Sequence, residues 1–193
     1  EVAPGAATHD MYLDAQGKPR PGVTLNGPLA AGIPGEPAGL VHLARRYGRL
    51  PLSKTLAPAI RYAEDGVAAT SAMELGLRFR TGAARNSPAF AAVFLPDGKP
   101  LATGDRVRFE DLARTLGRLA TGGRDGFYRG PVAQQLVDGV RAAGGIWTLE
   151  DLARYSVLER QPIRTEYRGM TVVSAPPPSA GGIALTSVFQ ILS

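Results

Sequence analysis

The chain has no cysteine, one tryptophan and only two histidines, and its lysines are Lys18, Lys54 and Lys99 alone. Without cysteine there is no disulfide framework, no thiolate metal site and no cysteine nucleophile. That absence does not by itself identify a compartment. No apolar run approaches the roughly 18 residues that a membrane-crossing helix requires. Glu1-Val2-Ala3-Pro4 has neither the basic start nor the apolar segment of a secretory leader. With no initiator methionine, Glu1 is expected to follow a processing or truncation point. The formal net charge is +5, but the positive charge is almost all arginine scattered along the chain rather than gathered into a patch. Scattered charge predicts no nucleic-acid partner.

What is present suits a folded protein. At 193 residues and 44% hydrophobic, the chain can bury one sizeable core, or one core with an appendage. Residues 1–29 are loop-rich, with turn signals at Asp14-Ala15-Gln16-Gly17, and Gly27 to Gly32 is expected to hold a short strand. A helix is predicted from Glu36, with Leu40, Leu43, Ala44 and Tyr47 on its inner face, an acid and a proline in its first turn, and Gly48 as its stop. The next begins at Ser53, or at about Ala57 if Pro58 forces the issue, with Ile60, Ala63 and Val67 in register and Gly66 near its end. Ser71-Ala72-Met73-Glu74 reads as a capping box opening a helix that buries Ala72, Leu75 and Phe79. Ser87-Pro88 opens a short helix to Phe94. Phe109 to Ala120 and Val132 to Val140 follow the helical period, and Thr148 with Asp151 caps a further turn.

Strand character comes late. Ile163, Thr165 and Tyr167 alternate with Arg164, Glu166 and Arg168, and Met170 to Ala175 can pair back across Arg168-Gly169. The organising stretch follows: Pro176-Pro177-Pro178-Ser179-Ala180-Gly181-Gly182-Ile183. Three prolines hold the backbone extended, and two glycines allow close approach. Beyond it Ile183 to Leu192 is predicted to be a buried helix, apolar on most sides. On residues alone, the bend is either a structural joint or a ligand-facing loop. It has neither the spacing of a phosphate loop nor a nucleophile elbow.

Reactive groups are few. His9 and His42 are separated by loop and helix, and His42 is expected on a solvated face. Glu64-Asp65, Glu110-Asp111 and Glu150-Asp151 lie at helix ends or first turns, and for two of the three pairs capping and the helix dipole explain the acids better than acid–base chemistry does. No metal site and no cofactor are predicted.

The bend resembles the P-P-P-S-S-G-G-I stretch of γ-glutamyltransferases, the family that cleaves glutathione. Gly32-Ile33-Pro34-Gly35-Glu36-Pro37-Ala38-Gly39-Leu40, Tyr47-Gly48-Arg49-Leu50-Pro51-Leu52, Phe127-Tyr128-Arg129-Gly130, Thr148-Leu149-Glu150-Asp151-Leu152 and Tyr167-Arg168-Gly169 follow the family in the same order. The resemblance covers essentially the whole chain. It implies an N-terminal nucleophile hydrolase, cut from a precursor into a large and a small subunit. The small subunit's new N-terminal threonine then attacks the γ-glutamyl carbonyl. Neither that threonine nor the family's carboxylate-clamping arginine, expected just before Glu1, is in this chain. Two departures stand out: Ala180 where the family usually has serine, and Ala184 where it often has histidine. They leave the substrate open between γ-glutamyl compounds and those of cephalosporin-acylase-like or poly-γ-glutamate-processing relatives.

The expectation is therefore a mainly α fold: a multi-helix domain with one small β-hairpin near the C-terminus, part of the larger αββα architecture. Residues 1–161 form a helical lobe of the large subunit. Residues 162–193 hold the hairpin, the proline-rich bend and a helix returning to a sheet core. No catalytic residue is expected here; Ser179, Gly181 and Gly182 are expected to border the substrate pocket. The implied partners are the rest of the large subunit, the small subunit and γ-glutamyl compounds, in a periplasmic or extracellular setting. The chain alone is expected to be inactive, and a non-catalytic binding or scaffold module is the rival reading.

Overall fold

A computed structural model describes residues 2–192. Nine α-helices lie among them: α1 (Glu36–Arg46), α2 (Leu52–Asp65), α3 (Ser71–Arg85), α4 (Pro88–Phe94), α5 (Glu110–Gly122), α6 (Asp125–Tyr128), α7 (Gly130–Ala142), α8 (Leu149–Arg154) and α9 (Ala180–Ile191). Four strands form two antiparallel ribbons, β1 (Val67–Ala68) with β2 (Arg106–Val107), and β3 (Ile163–Tyr167) with β4 (Met170–Ser174). The chain divides into two compact units, residues 1–156 and 157–193.

In the first unit the main core is built from α2, α5, α6, α7 and α8. Leu119, Tyr128, Ala133 and Leu152 are its most deeply buried residues. α2 packs most extensively against α5, and the Phe109 N–H donates to the Ala63 carbonyl at 2.9 Å where the two helices meet. Arg106 donates to the carbonyls of Asp65 (2.7 Å) and Gly66 (3.1 Å), so a cation satisfies the C-terminal carbonyls of α2. A second, smaller core gathers Ala69, Leu77, Leu101 and Val107, flanked by Met73, Phe94 and Phe109.

The β1–β2 ribbon is an element that residue alternation does not reveal. Each strand is two residues long, too short for a period of two to register. The strand expected over Gly27 to Gly32 is instead a 3-10 turn at Pro28–Ala30. Gly27 has φ +90° and Pro28 has no N–H to give to a ladder, so this backbone turns rather than pairs.

Two helices, α1 and α3, turn a different face inward from the one expected. α1 buries Ala38 and Val41, while Leu43 and Tyr47 are exposed; His42, expected in solvent, is half-buried and meets the Tyr47 ring edge-on at 6.5 Å. α2 starts at Leu52 and runs through Pro58 to Asp65, because Leu56 and Ala63, seven residues apart, are buried on one face to either side of the proline; Val67, expected in register on this helix, lies in β1, because Gly66 at φ +85° ends the helix before it. α3 buries Leu77 and Ala84 and exposes Ala72, Leu75 and Phe79. Its capping residue is Thr70, whose Oγ1 accepts from the Met73 N–H at 3.2 Å. Glu74 does not close a box with Ser71; it reaches Thr103 instead. At α8, by contrast, Thr148 and Asp151 form the reciprocal capping box.

In the second unit Ile163 pairs with Ser174 and Tyr167 with Met170 across Arg168-Gly169. Both turn residues have positive φ, +46° and +78°, the two-residue geometry that matches strand twist. α9 begins at Ala180 rather than at Ile183, so both glycines lie in its first turn. It packs against β3 and β4, and Phe189 stacks on Tyr167 with ring centres 4.7 Å apart. It is not buried: Ile183, Leu185, Val188, Ile191 and Leu192 are all exposed.

Candidate functional site

The proline-rich bend joins β4 to α9. Pro176 to Pro178 carry the chain out of the ribbon, and Ser179 is the N-cap of α9 in an extended conformation. The Ser179 N–H donates to the Pro176 carbonyl at 3.1 Å, but its hydroxyl makes no capping hydrogen bond. The N-cap side chain therefore gives the first N–H groups of α9 no acceptor, and no acid occupies the first turn. Such a terminus carries a partial positive charge and open donors, and it can hold a carboxylate or a carbonyl oxygen.

The residues expected at a pocket edge separate into two kinds. Ser179 and Gly181 are exposed, and a methyl group added at Gly181 meets only the Ser179 Oγ, at 4.0 Å. Gly182 is buried. A Cβ there would fall closer than 3.0 Å to the Ala175 carbonyl oxygen, 3.1 Å from Ser174 Oγ and 3.2 Å from Ile163 Cδ1. Only glycine allows α9 to lie this close to the β3–β4 ribbon. Two ionisable side chains of this unit have local partners: Glu166 accepts from Thr171 Oγ1 at 2.6 Å, and the Arg168 guanidinium lies 5.2 Å from the centre of the Tyr167 ring. Residues 157–192 contain no histidine, lysine or aspartate, side chains that commonly activate a serine hydroxyl as a nucleophile.

The most elaborate polar cluster lies in the first unit. The Tyr128 hydroxyl donates to the Pro34 carbonyl at 2.6 Å and accepts from the Ala38 N–H at 3.2 Å. The Tyr128 ring stacks on Tyr155 at 5.6 Å, and Arg124 lies 4.9 Å from its centre. Arg124 Nη2 donates to the carbonyls of Ala153 and Tyr155, each at 2.7 Å, so it satisfies the C-terminal end of α8. Burial pushes the Tyr128 phenol above its ordinary value of 10.0, against the lowering effect of the Ala38 N–H. The phenol remains neutral and works as a brace. This role is invisible to periodicity, although Tyr128 lies inside the Phe127-Tyr128-Arg129-Gly130 stretch.

Two carboxylates are held ionised by hydrogen bonds. Glu74 accepts from the Thr103 hydroxyl at 2.6 Å and the Thr103 N–H at 2.8 Å, and pairs with Arg78 at 2.7 Å. The Thr103 bonds, with that of Arg78, bring it down to about 2. Burial raises Asp151, but the N–H of Gly5 (2.7 Å) and the hydroxyl and N–H of Thr148 outweigh it, leaving the carboxyl below 3.8. Asp151 thereby ties the N-terminal loop to the α8 cap. His9 Nδ1 and Asp10 Oδ1 are 2.7 Å apart, but both side chains stand in solvent. Among the described residues no group of three or more His, Asp or Glu could hold a metal ion, and no helix is long and apolar enough to cross a membrane.

Comparison with known proteins covers the whole chain. The family model described as Gamma-glutamyltranspeptidase matches residues 1–193. The chain is 40% identical over 193 residues to the glutathione hydrolase proenzyme of Escherichia coli (strain K12), covering 100% of this chain and 33% of that protein. It is 36% identical over 197 residues to the Acylase ACY 1 proenzyme of Pseudomonas sp. (strain SE83), covering 99% of this chain and 35% of that one. The crystal structure of Helicobacter pylori gamma-glutamyltranspeptidase superposes with a TM-score of 0.96 at 36% identity, covering 100% of this chain and 55% of that chain. The chain thus spans about a third of the length of these curated relatives.

Proposed function

The chain belongs to the gamma-glutamyltranspeptidase family, and from that premise we propose that it is part of the large subunit of an enzyme that transfers or hydrolyses γ-glutamyl groups. The observation that carries the proposal is the agreement of sequence and backbone across the full chain, with a TM-score of 0.96 at 36% identity. In this reading the acyl-enzyme forms on an N-terminal threonine outside residues 1–193, within the larger αββα architecture. The chain's own contribution is twofold. Residues 1–161 serve as a helical lobe braced by Tyr128, and residues 162–193 carry the chain back toward the sheet core. Ser179, Gly181 and Gly182 border the substrate pocket. The open N–H groups at the start of α9 and the uncommitted Ser179 hydroxyl support this role, because both can receive a carboxylate or a carbonyl oxygen. The exposed apolar residues of α9 support a partner surface formed by the rest of the parent protein.

A second reading makes the parent an acylase. Its support is the 36% identity to the Acylase ACY 1 proenzyme, together with Ala180 and Ala184 in place of the hydroxyl and imidazole that γ-glutamyl enzymes usually carry. Competition between a chromogenic γ-glutamyl anilide and a glutaryl amide on the complete protein separates the two. Preferential turnover of the γ-glutamyl compound is expected, and preference for the glutaryl amide would favour the acylase. Ser179→Ala is expected to raise KM by about 2- to 10-fold with kcat little changed, the loss of one neutral hydrogen bond. An unchanged KM would remove Ser179 from the pocket.

A further inference from the structure

Asparaginyl and aspartyl residues followed by glycine are prone to ring closure, because glycine offers no side chain to hinder attack by its own backbone nitrogen. The sequence has five such pairs: Asn26-Gly27, Asp65-Gly66, Asp97-Gly98, Asp125-Gly126 and Asp138-Gly139. The fold treats one of them differently. The attacking nitrogen must be free to lose its proton, and an amide that donates to a carbonyl is not.

The Gly66 N–H donates to the Tyr62 carbonyl at 3.0 Å, that of Gly98 to Leu95 at 2.9 Å, and that of Gly126 to Gly123 at 3.1 Å. Gly139 lies inside α7, where its N–H belongs to the helical ladder. The other asparagine, Asn86, precedes Ser87, whose N–H donates to the Ala84 carbonyl at 3.1 Å. The Gly27 N–H alone among these donates to no acceptor within the described residues. Asn26 is exposed, and its side-chain amide has no partner there either. Its own N–H donates to the Gly22 carbonyl at 2.9 Å, which fixes it in the turn.

We propose that Asn26-Gly27 is a site of spontaneous modification, at which Asn26 is converted to aspartate and isoaspartate in the folded protein. The Gly27 nitrogen, losing its proton to a solvent base, attacks the Asn26 side-chain carbonyl carbon. The new N–C bond closes a five-membered imide; the Cγ–Nδ2 bond breaks and ammonia leaves with a proton from water. Water then opens the ring at either carbonyl, so the net change is one water consumed and one ammonia released. Every product carries a new carboxylate. The isoaspartyl product also places an extra methylene in the backbone just before a tightly fitted turn. There the Pro28 ring lies where a Cβ on Gly145 would be only 2.9 Å away, Leu29 O accepts from the Tyr12 hydroxyl at 3.1 Å, and Ala31 O accepts from Trp147 Nε1 at 3.1 Å.

The test is peptide mapping by mass spectrometry of the intact protein, held folded in mildly alkaline buffer, beside the same protein held unfolded in urea. The expected result is a shift of one mass unit and an isoaspartyl signal in the Asn26 peptide of both samples. The Asn86 peptide is expected to stay unchanged, and the four Asp-Gly peptides free of isoaspartate, in the folded sample only. Asn26→Gln is expected to abolish the folded-state signal. Protection of Asn26 by folding, or reaction of Asn86 at least as fast as Asn26 in the folded protein, would overturn the proposal.

Discussion

Replacing Tyr128 by phenylalanine removes one oxygen atom and tests how the first helix of the lobe is held. The cap position of α1 is Gly35, which has no side chain to offer, so the early N–H groups of the helix need an acceptor from elsewhere. The Tyr128 hydroxyl supplies one to Ala38 at 3.2 Å while donating to Pro34 at 2.6 Å. Phenylalanine keeps the stack on Tyr155 and the Arg124 contact, because both involve the ring. The variant therefore isolates two hydrogen bonds and leaves a buried N–H and a half-buried carbonyl unsatisfied. Each lost bond is worth about 0.5–1.5 kcal/mol and each orphaned buried group costs about 1–3 kcal/mol, so the expected loss is about 2–4 kcal/mol. Urea unfolding followed by fluorescence reads this directly, because the single tryptophan, Trp147, is buried in the same unit. The alkaline limb offers a second check. The folded-state pKa of Tyr128 lies above 10.0, so its contribution is complete below 10.0 and is lost as pH rises through the raised value. The phenylalanine variant lacks that component. A loss below about 0.5 kcal/mol, within the range of a neutral surface change, would refute the assignment of the hydroxyl as the cap of α1.

Three further substitutions probe other parts of the fold. Gly182→Ala is expected to destabilise the second unit by about 1–3 kcal/mol, the usual cost of forcing atoms into a packed contact; Gly181→Ala, with open space around it, is expected to be neutral or mildly stabilising. Hydrogen exchange over residues 163–191 distinguishes the two, and equal effects would contradict the close-packing role. Glu74, held at about 2 against an ordinary 4.5, contributes stability that is present above 4.5 and is lost as pH falls through about 2. Glu74→Gln is expected to flatten the acid limb of a stability–pH curve between those values, and an unaltered limb would show that the Thr103 latch does not form.

How far the sequence discloses the structure depends on the range of the interactions involved. Thr148 and Asp151 make the capping box that their spacing predicts, since both partners lie within one turn. Ser71 and Glu74 have the same spacing and do not, because Glu74 finds Thr103, 29 residues away in sequence. α3 has apolar residues on more than one side, and the pattern Ala72, Leu75, Phe79 is as regular as the one that is buried. Which side turns inward is decided by Ala69, Leu101 and Val107 around Leu77, none of which belongs to the helix. The same holds at the proline-rich bend. Its two glycines signal close approach, and Gly182 makes one, but only the packing of α9 on Ala175 shows that the neighbour is the protein's own backbone. The tyrosine brace joins Pro34, Ala38, Arg124, Tyr128 and Tyr155 across some 120 residues, beyond the reach of any local pattern.

The central claim is that residues 1–193 supply architecture and a pocket edge, and that the attacking group lies elsewhere in the parent protein. The direct measurement is release of chromophore from a γ-glutamyl p-nitroanilide by the 193-residue chain and by the complete parent protein, side by side. The account predicts turnover by the complete protein and none above the uncatalysed rate by the chain alone. Multiple turnovers by the purified chain would contradict it.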